Sequence, residues 1–410
     1  MNVDTMRAVD HYAGVPLTFL GTLLDKTLRL FTGAKRTRPK NVLLIELSEM
    51  GSAIIVDPAM RKLQANIDGE LHFVIFSKNK VSLQLLGTVR EENIFTIDES
   101  GMVPLALSTL KFFKWCRERN IDSVIDLELF SRFTALLTGF SGAKNRVGFH
   151  SFHNEGLYRG DFLTHKVAYN PHQHIAKNFV AMVDALLSEE EQLPYTKRVI
   201  GDDEIRIAKT EVSDEEKEAV RRAIREKYPD FDPRKHPVVL VNSNASDLLP
   251  QRRWDRKNYC EVIKKILAYN ENVLILLTGA PSEHDGAQAL ADCVGDARCV
   301  NFAGGVKFLQ LPHLYSVSAF MLTNDSGPAH FASITDMHTF VIFGPETPAL
   351  YGSLGPSTPI FAGMACSPCV SAANHRKTPC TDNRCIQVIT PEWVFGVIKP
   401  KLDALTAVAR

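Results

Sequence analysis

The sequence predicts an α/β protein of two domains, each a parallel β-sheet covered by helices. Three observations carry that prediction. Uninterrupted apolar runs such as "NVLLIEL" and "PVVLVNSN" have the pattern of strands buried on both faces, which belongs to parallel sheets. Helix-like stretches alternate with these runs, as repeated β-α-β units require. The alternation restarts after a charged stretch at about residues 196–236, and 410 residues exceed what one core usually serves.

Residues 1–40 come first, as an N-terminal segment of their own. "GVPLTFLGTLLDKTLRLF" places Leu17, Leu20, Leu24, Leu28 and Phe31 at helical spacing, and "KRTRPK" follows with Lys35, Arg36, Arg38 and Lys40. An apolar face beside a basic cluster suits a helix lying at an anionic membrane surface. It equally suits a helix packed on its own domain or on a second copy, and the sequence leaves both readings open.

Residues 41–210 form the first domain, with strands at "NVLLIEL", "LHFVIF", "NIFTI" and "SVIDLEL" and helical stretches such as "LALSTLKFFKWCRERN" between them. Its first strand breaks at Met50-Gly51-Ser52, and a helix is expected to open with Pro58. In the charged stretch, Ser213 followed by Glu216 forms a capping box for "DEEKEAVRRAIREKY". Residues 211–395 then repeat the pattern with "PVVLVNSN", a helix over 254–269, "NVLILLTGA", "ARCVNFAG", "AFMLTND" and "TFVIFGP", and a C-terminal helix takes 396–410. Two Rossmann-like domains facing a central cleft follow, because ligands of open α/β sheets bind beyond the C-terminal strand ends.

Composition narrows the function classes. A chain 45% apolar and 23% charged reads as a soluble globular protein, and zero formal net charge gives no global reason to expect nucleic acid. Eight cysteines without a recognisable secretory leader suggest a reducing compartment, with thiols free or bound to metal. No run is long enough to span a bilayer. A nicotinamide oxidoreductase is disfavoured, since no G-x-G-x-x-G follows a strand.

The sharpest chemical signal is "FMLTNDSGPAHFASITDMHTFVIFGPETP". A strand ends at Thr323-Asn324, and Asp325-Ser326-Gly327-Pro328 turns into a helix near Ala329 with His330 in its first turn. Backbone N–H groups and the helix dipole at such a turn attract phosphate, with Ser326 and His330 as further donors. An ordinary capped helix with Asp or Ser as N-cap fits the same residues.

These residues carry a family resemblance. "NDSGPAHFA" followed by "FGPETP" resembles the signature of glycosyltransferase family 9, the heptosyltransferases of the lipopolysaccharide core, and the likeness runs over residues 41–395 through "LLIELSEMGSAIIVDPAMRKL", "LVNSNASDLLPQRRW" and "LILLTGAPSEHD". The resemblance implies a GT-B fold with an acceptor-binding first domain and a nucleotide-sugar-binding second one, and inversion at the anomeric carbon without a required metal. Asp325, Ser326, Gly327, Pro328, Ala329 and His330 would line the donor diphosphate. Arg252 or Arg253, where the family commonly has Lys before Trp, would neutralise the leaving group. Ser243, Gly279 and Glu283 would meet the nucleoside, Glu283 as a ribose ligand or simply as a helix-start acid. The implied partners are an ADP-linked sugar donor, a glycolipid or oligosaccharide acceptor and a membrane surface. The implied location is the inner face of the cytoplasmic membrane.

One departure matters. Where the family usually has Gly-Asp, with the Asp as proposed general base, this chain has Gly51-Ser52 on the acceptor loop, and a serine hydroxyl is no comparable base. Glu49 or Glu128 would replace it, or transfer activity has been lost and a sugar-nucleotide-binding protein remains. A nucleotide-sugar epimerase of related architecture is the other enzymatic alternative. Cys366, Cys369, Cys380 and Cys385 have spacing compatible with a structural zinc, although the second pair is wide, and reduced thiols or local disulfides fit equally. Arg159, Lys166 and His174 are candidates for an acidic acceptor, or ordinary surface hydrogen-bonders.

Overall fold

The computed structural model describes residues 3–32, 37–153, 157–245 and 249–408. The chain divides into two compact units, Met1–Arg206 and Ile207–Arg410.

The first unit opens with α1 (Val3–Tyr12) and α2 (Gly14–Thr32), followed by β1 (Val42–Ile45), α3 (Met50–Ile55), α4 (Asp57–Gln64), β2 (Leu71–Phe76), α5 (Val81–Gln84), β3 (Ile94–Ile97) and α6 (Met102–Glu118). It continues through β4 (Ser123–Asp126), α7 (Arg132–Phe140), β5 (Asn145–His150), β6 (His165–Ala168) and α8 (Ile175–Leu187). The sheet is parallel in the order β3-β2-β1-β4-β5-β6. Strands β1, β2 and β4 are wholly buried, as their unbroken apolar runs foretell. β5 and β6 escape sequence reading because Arg146, His165 and Lys166 interrupt them. Chain order reverses between β1 and β4, so residues following those strands share a topological switch point.

The second unit holds α9 (Asp214–Lys227), β7 (Val238–Asn242), α10 (Arg256–Tyr269), β8 (Leu274–Leu277), α11 (His284–Val294), β9 (Cys299–Asn301), α12 (Leu311–Ser316) and β10 (Phe320–Asn324). It ends with α13 (Gly327–Ala332), β11 (His338–Phe343), α14 (Pro348–Tyr351), β12 (Ser357–Phe361), α15 (Arg384–Gln387) and α16 (Pro391–Val408). Its parallel sheet runs β12-β11-β10-β7-β8-β9, with the reversal between β7 and β10. α9 starts with the expected reciprocal cap: Ser213 Oγ accepts from Glu216 N at 3.3 Å and Glu216 Oε2 from Ser213 N at 2.8 Å.

Two expectations need correction. Helix begins at Met50, so Gly51 and Ser52 lie in the first turn of α3 rather than on a turn before Pro58, which opens α4 instead. The cysteines are not all reduced thiols or ligands, because α10 and α11 pack together and bring Cys260 and Cys293 to a Cα separation of 6.1 Å, bonded as a disulfide. Lys35 and Arg36 of the basic cluster lie outside the described residues.

Candidate active site

In the second unit the predicted donor residues gather at the ends of β7, β8 and β10. Asn324, the last residue of β10, ties these ends together. Its Nδ2 donates to the carbonyls of Ser243 (2.9 Å) and Asn244 (3.3 Å), and its Oδ1 accepts from Trp254 N (3.2 Å) and Tyr259 OH (3.0 Å). The loop after β7 and the "QRRW" segment are thereby anchored beside Asp325. At Gly279, after β8, a Cβ would stand 2.9 Å from Glu283 Oε2 and 3.1 Å from Asn244 Nδ2, so a side chain would push these groups apart.

Arg252 sits at the centre of a buried charge cluster. Its Nε lies 3.4 Å from Asp325 Oδ2 and its Nη2 3.2 Å from Glu346 Oε1. Glu346 is 1% exposed and also faces Arg376 Nε at 3.7 Å, while Arg376 Nη2 donates to Tyr351 OH at 2.6 Å and its guanidinium lies over that ring. Burial pushes the Glu346 carboxyl up to about 8, against the pull of Arg252. Burial likewise raises Asp325, and Arg252 opposes it. Near neutrality the cluster therefore holds Glu346 protonated beside the two guanidinium groups. Arg376 then supplies the cluster's excess positive charge.

Sequence reading missed Glu346 and Arg376. Glu346 was visible as the carboxylate just beyond β11, next to the reversal point. Arg376 gave no signal, since only the return of the segment after β12 brings it there. The remaining candidates are engaged in part by their own backbone. Arg253 donates twice to the Ala245 carbonyl, at 3.0 and 2.7 Å. Glu283 Oε2 accepts from Ala280 N at 2.6 Å, which is the helix-start role. Ser326 is the N-cap of α13 without capping it by its side chain, and its Oγ donates instead to the Asn324 carbonyl at 3.2 Å. Gly327 and Pro328 form the first turn of α13, where a Cβ on Gly327 would meet the Phe331 ring at 3.0 Å, and Ala329 and His330 are buried.

In the first unit the structure brings Glu49, Ser52 and Glu128 to the switch point after β1 and β4. Glu128 Oε1 accepts from Leu47 N (2.9 Å), Ser48 N (3.1 Å) and Ser48 Oγ (2.9 Å). Desolvation raises the Glu128 pKa despite these bonds. Glu49 is the N-cap of α3, and Ser52 Oγ stands 3.5 Å from its Oε2, at the limit of a hydrogen bond. Gly51 precedes Ser52 in the same turn. Behind Glu128, Arg159 pairs with buried Asp126 and donates to the Glu128 carbonyl, so it braces this loop. Lys166 pairs with Asp161 at 2.8 Å, and His174 caps α8 through Ala176 N.

Cys366, Cys369, Cys380 and Cys385 are free and neighbour one another, and burial lifts the Cys385 thiol to about 11, with the other three sulfurs adding to the shift. Cys369 and Cys380 direct their sulfurs to Thr378 Oγ1 and Asp382 Oδ1. Among the described residues no three His, Cys, Asp or Glu side chains are grouped to hold a metal ion.

Comparison with known proteins places these observations. The family model for glycosyltransferase family 9 (heptosyltransferase) matches residues 109–378. Lipopolysaccharide heptosyltransferase 2 of Salmonella typhimurium is 28% identical over 102 residues, 24% of this chain and 29% of that protein. The protein of the same name from Escherichia coli is 26% identical over 102 residues, with the same shares covered. The chain thus aligns with under a third of the length of these curated relatives. Among solved structures, E. coli ADP-heptose lipopolysaccharide heptosyltransferase II superposes with a TM-score of 0.66 at 18% identity, covering 89% of this chain and 99% of that one. A glycosyltransferase family 9 protein of Veillonella parvula gives 0.62 at 16%, covering 88% and 97%. E. coli heptosyltransferase WaaC with ADP gives 0.58 at 16%, covering 88% and 99%. At these identities the superpositions establish the fold.

Proposed function

The chain belongs to glycosyltransferase family 9, and on that premise we propose that it is an inverting glycosyltransferase. It moves a sugar, best matched to heptose from ADP-heptose, onto a lipopolysaccharide-type or other surface-glycan acceptor at the cytoplasmic membrane face. The observation that carries the reading is Arg252, held by Asp325 and Glu346 where the strand order reverses, beside the Asp325–His330 turn. A solved relative named for ADP and curated relatives named lipopolysaccharide heptosyltransferase favour the ADP-heptose choice.

In this mechanism the acceptor hydroxyl gives its proton to a carboxylate of the first unit. Its oxygen attacks the anomeric carbon from the face opposite the diphosphate, and the C–O bond to the diphosphate breaks. Glu128 is the better placed base, because two backbone N–H groups and the Ser48 hydroxyl fix it and burial raises its basicity. Glu49, through its contact with Ser52, is the alternative. Arg252 and Arg376 stabilise charge on the departing diphosphate, a role worth roughly 10²–10³ in turnover for one well-placed group.

A thermal-shift screen of nucleoside diphosphates and nucleotide sugars tests donor choice, since a ligand at a hundred times its Kd adds about 2.7 kcal/mol. ADP and ADP-heptose are expected to stabilise the chain most. Transfer to core-oligosaccharide acceptors should follow. Stabilisation by a different nucleotide alone would overturn the ADP assignment, isomerisation of donor alone would point to an epimerase, and binding without turnover to a degenerate transferase.

A further inference from the structure

α2 is packed inside out. Its buried side is Gly14, Thr18, Gly21, Thr22 and Asp25, whereas Leu17, Leu20, Leu24, Leu28 and Phe31 are all at least half exposed. The small residues permit close approach: a Cβ at Gly14 would stand 2.8 Å from Arg132 Cβ, and one at Gly21 would stand 3.0 Å from the Phe162 ring. Asp25 turns inward to Arg146 in a two-pronged pair at 2.9 and 3.2 Å and accepts from Arg29 at 2.8 Å. Asp10 of α1 also turns inward, accepting from the Arg132 and Phe133 N–H groups at the start of α7, both at 2.9 Å. The apolar spacing that suggested a buried face therefore faces water, and Asp10 and Asp25 are consumed inside.

A second stripe accompanies it. Met102, Val103, Leu107 and Leu110 are exposed on the N-terminal half of α6, and Lys111 and Lys114 extend that stripe by a turn. α2 and α6 both pack on α7. The crossovers β3-α6-β4 and β4-α7-β5 run in the same direction across the sheet, so right-handed connection puts α6 and α7 on one face. Exposed Arg38 and Lys40 follow α2. Apolar area of this extent on a helix pair calls for a partner.

We propose that α2 and the N-terminal half of α6 form a surface that docks on an anionic lipid bilayer at the headgroup boundary. Leucines and Phe31 enter the acyl edge while Lys111, Lys114, Arg38 and Lys40 meet lipid phosphate. Charge complementarity selects this occupant: Asp10 and Asp25 turn inward, and the four cations outnumber the exposed acids paired with them, Glu118 at 3.5 Å from Lys114 and Asp68 at 3.3 Å from Arg38. No helix among the described residues is long and apolar enough to cross a membrane, so the contact is interfacial. The surface deepens the membrane-face location proposed above, but its test reads lipid binding with no sugar transfer.

The full chain is floated with vesicles of phosphatidylcholine alone or mixed with phosphatidylglycerol. Binding is expected to the mixed vesicles and to weaken at high salt. A Leu20→Ser/Leu24→Ser/Leu28→Ser variant should lose bound fraction roughly tenfold or more while keeping its melting temperature. Lys111→Gln/Lys114→Gln should lose the preference for phosphatidylglycerol with binding otherwise retained. The proposal fails if the wild-type chain floats with neither vesicle, or if the leucine variant floats equally well. It also fails if the leucine variant melts markedly lower, which would mean the face is packed. A dimer in light scattering that the leucine variant abolishes, without vesicle binding, would assign the face to a second copy.

Discussion

Replacing Arg252 by Met removes the cation between Asp325 and Glu346 while keeping much of the side-chain volume. Both carboxylates are nearly inaccessible, at 3% and 1% exposure, and Arg252 approaches them at 3.4 and 3.2 Å. Removing one partner of such a buried pair costs about 3–5 kcal/mol. For a unit of this size the melting temperature should fall by roughly 6–20 °C. The pH dependence discriminates further. Asp325 and Glu346 both have folded pKa values raised by burial, Glu346 to about 8, and Arg252 is the group holding them down. Without it both rise further. A group with a raised folded pKa gives its full contribution below its unfolded pKa and loses it as pH climbs through the folded value. The variant's deficit should therefore grow as pH climbs through about 8, where the native Glu346 ionises beside Arg252 and the variant's stays protonated. Melting followed by circular dichroism from about pH 6 to pH 10 measures this, with Glu346→Gln added to the variant expected to recover part of the loss. A deficit that does not grow above pH 8, or one under about 1 kcal/mol at pH 7.5, would refute the buried cluster.

Other outcomes follow from the same geometry. Glu346→Gln in the wild-type background should be near neutral at about pH 4.5 and increasingly stabilising as pH rises to about 8, where the gain levels off, because the unfolded glutamate ionises above 4.5 whereas burial holds the native acid protonated up to about 8; a melting series across that range decides it. Glu128→Gln should lower kcat by about 10² or more with donor affinity unchanged, and Glu49→Gln by less. Since burial raises the Glu128 pKa, the rising limb of kcat/KM should lie above the ordinary glutamate range, and a limb at the ordinary value would remove Glu128 as the base. Cys293→Ser opens a crosslink spanning 33 residues and should cost about 3–4 kcal/mol, read as a melting shift that reductant reproduces in the wild-type chain.

The parallel sheets were legible because their central strands are buried on both faces and leave unbroken apolar runs, as in residues 42–45 and 238–242. Edge and near-edge strands were not: polar Arg146 and His165 in β5 and β6 find partners in Asp25 and Thr164, which no local pattern reveals. The Asp325–His330 turn was legible as a motif. The state of its charges was not, since Arg252, Asp325, Glu346 and Arg376 span more than a hundred positions and their protonation depends on shared desolvation.

α2 draws the division most clearly. Its sequence determined a helix with one apolar and one small, polar face, because spacing and propensity act within a few turns. Which face meets the protein depends on the groups across the contact. Arg146 offers a cation that Asp25 pairs, while Arg132, Phe140 and Phe162 offer close surfaces that the glycines fit and a leucine ridge does not. The sequence thus determined two Rossmann-like sheets, their switch points and the family signature. Only the tertiary structure decided which carboxylates lie together, which are held neutral and which face of the N-terminal helix is left outside. Periodicity is local, whereas desolvation and charge pairing are set by neighbours far along the chain.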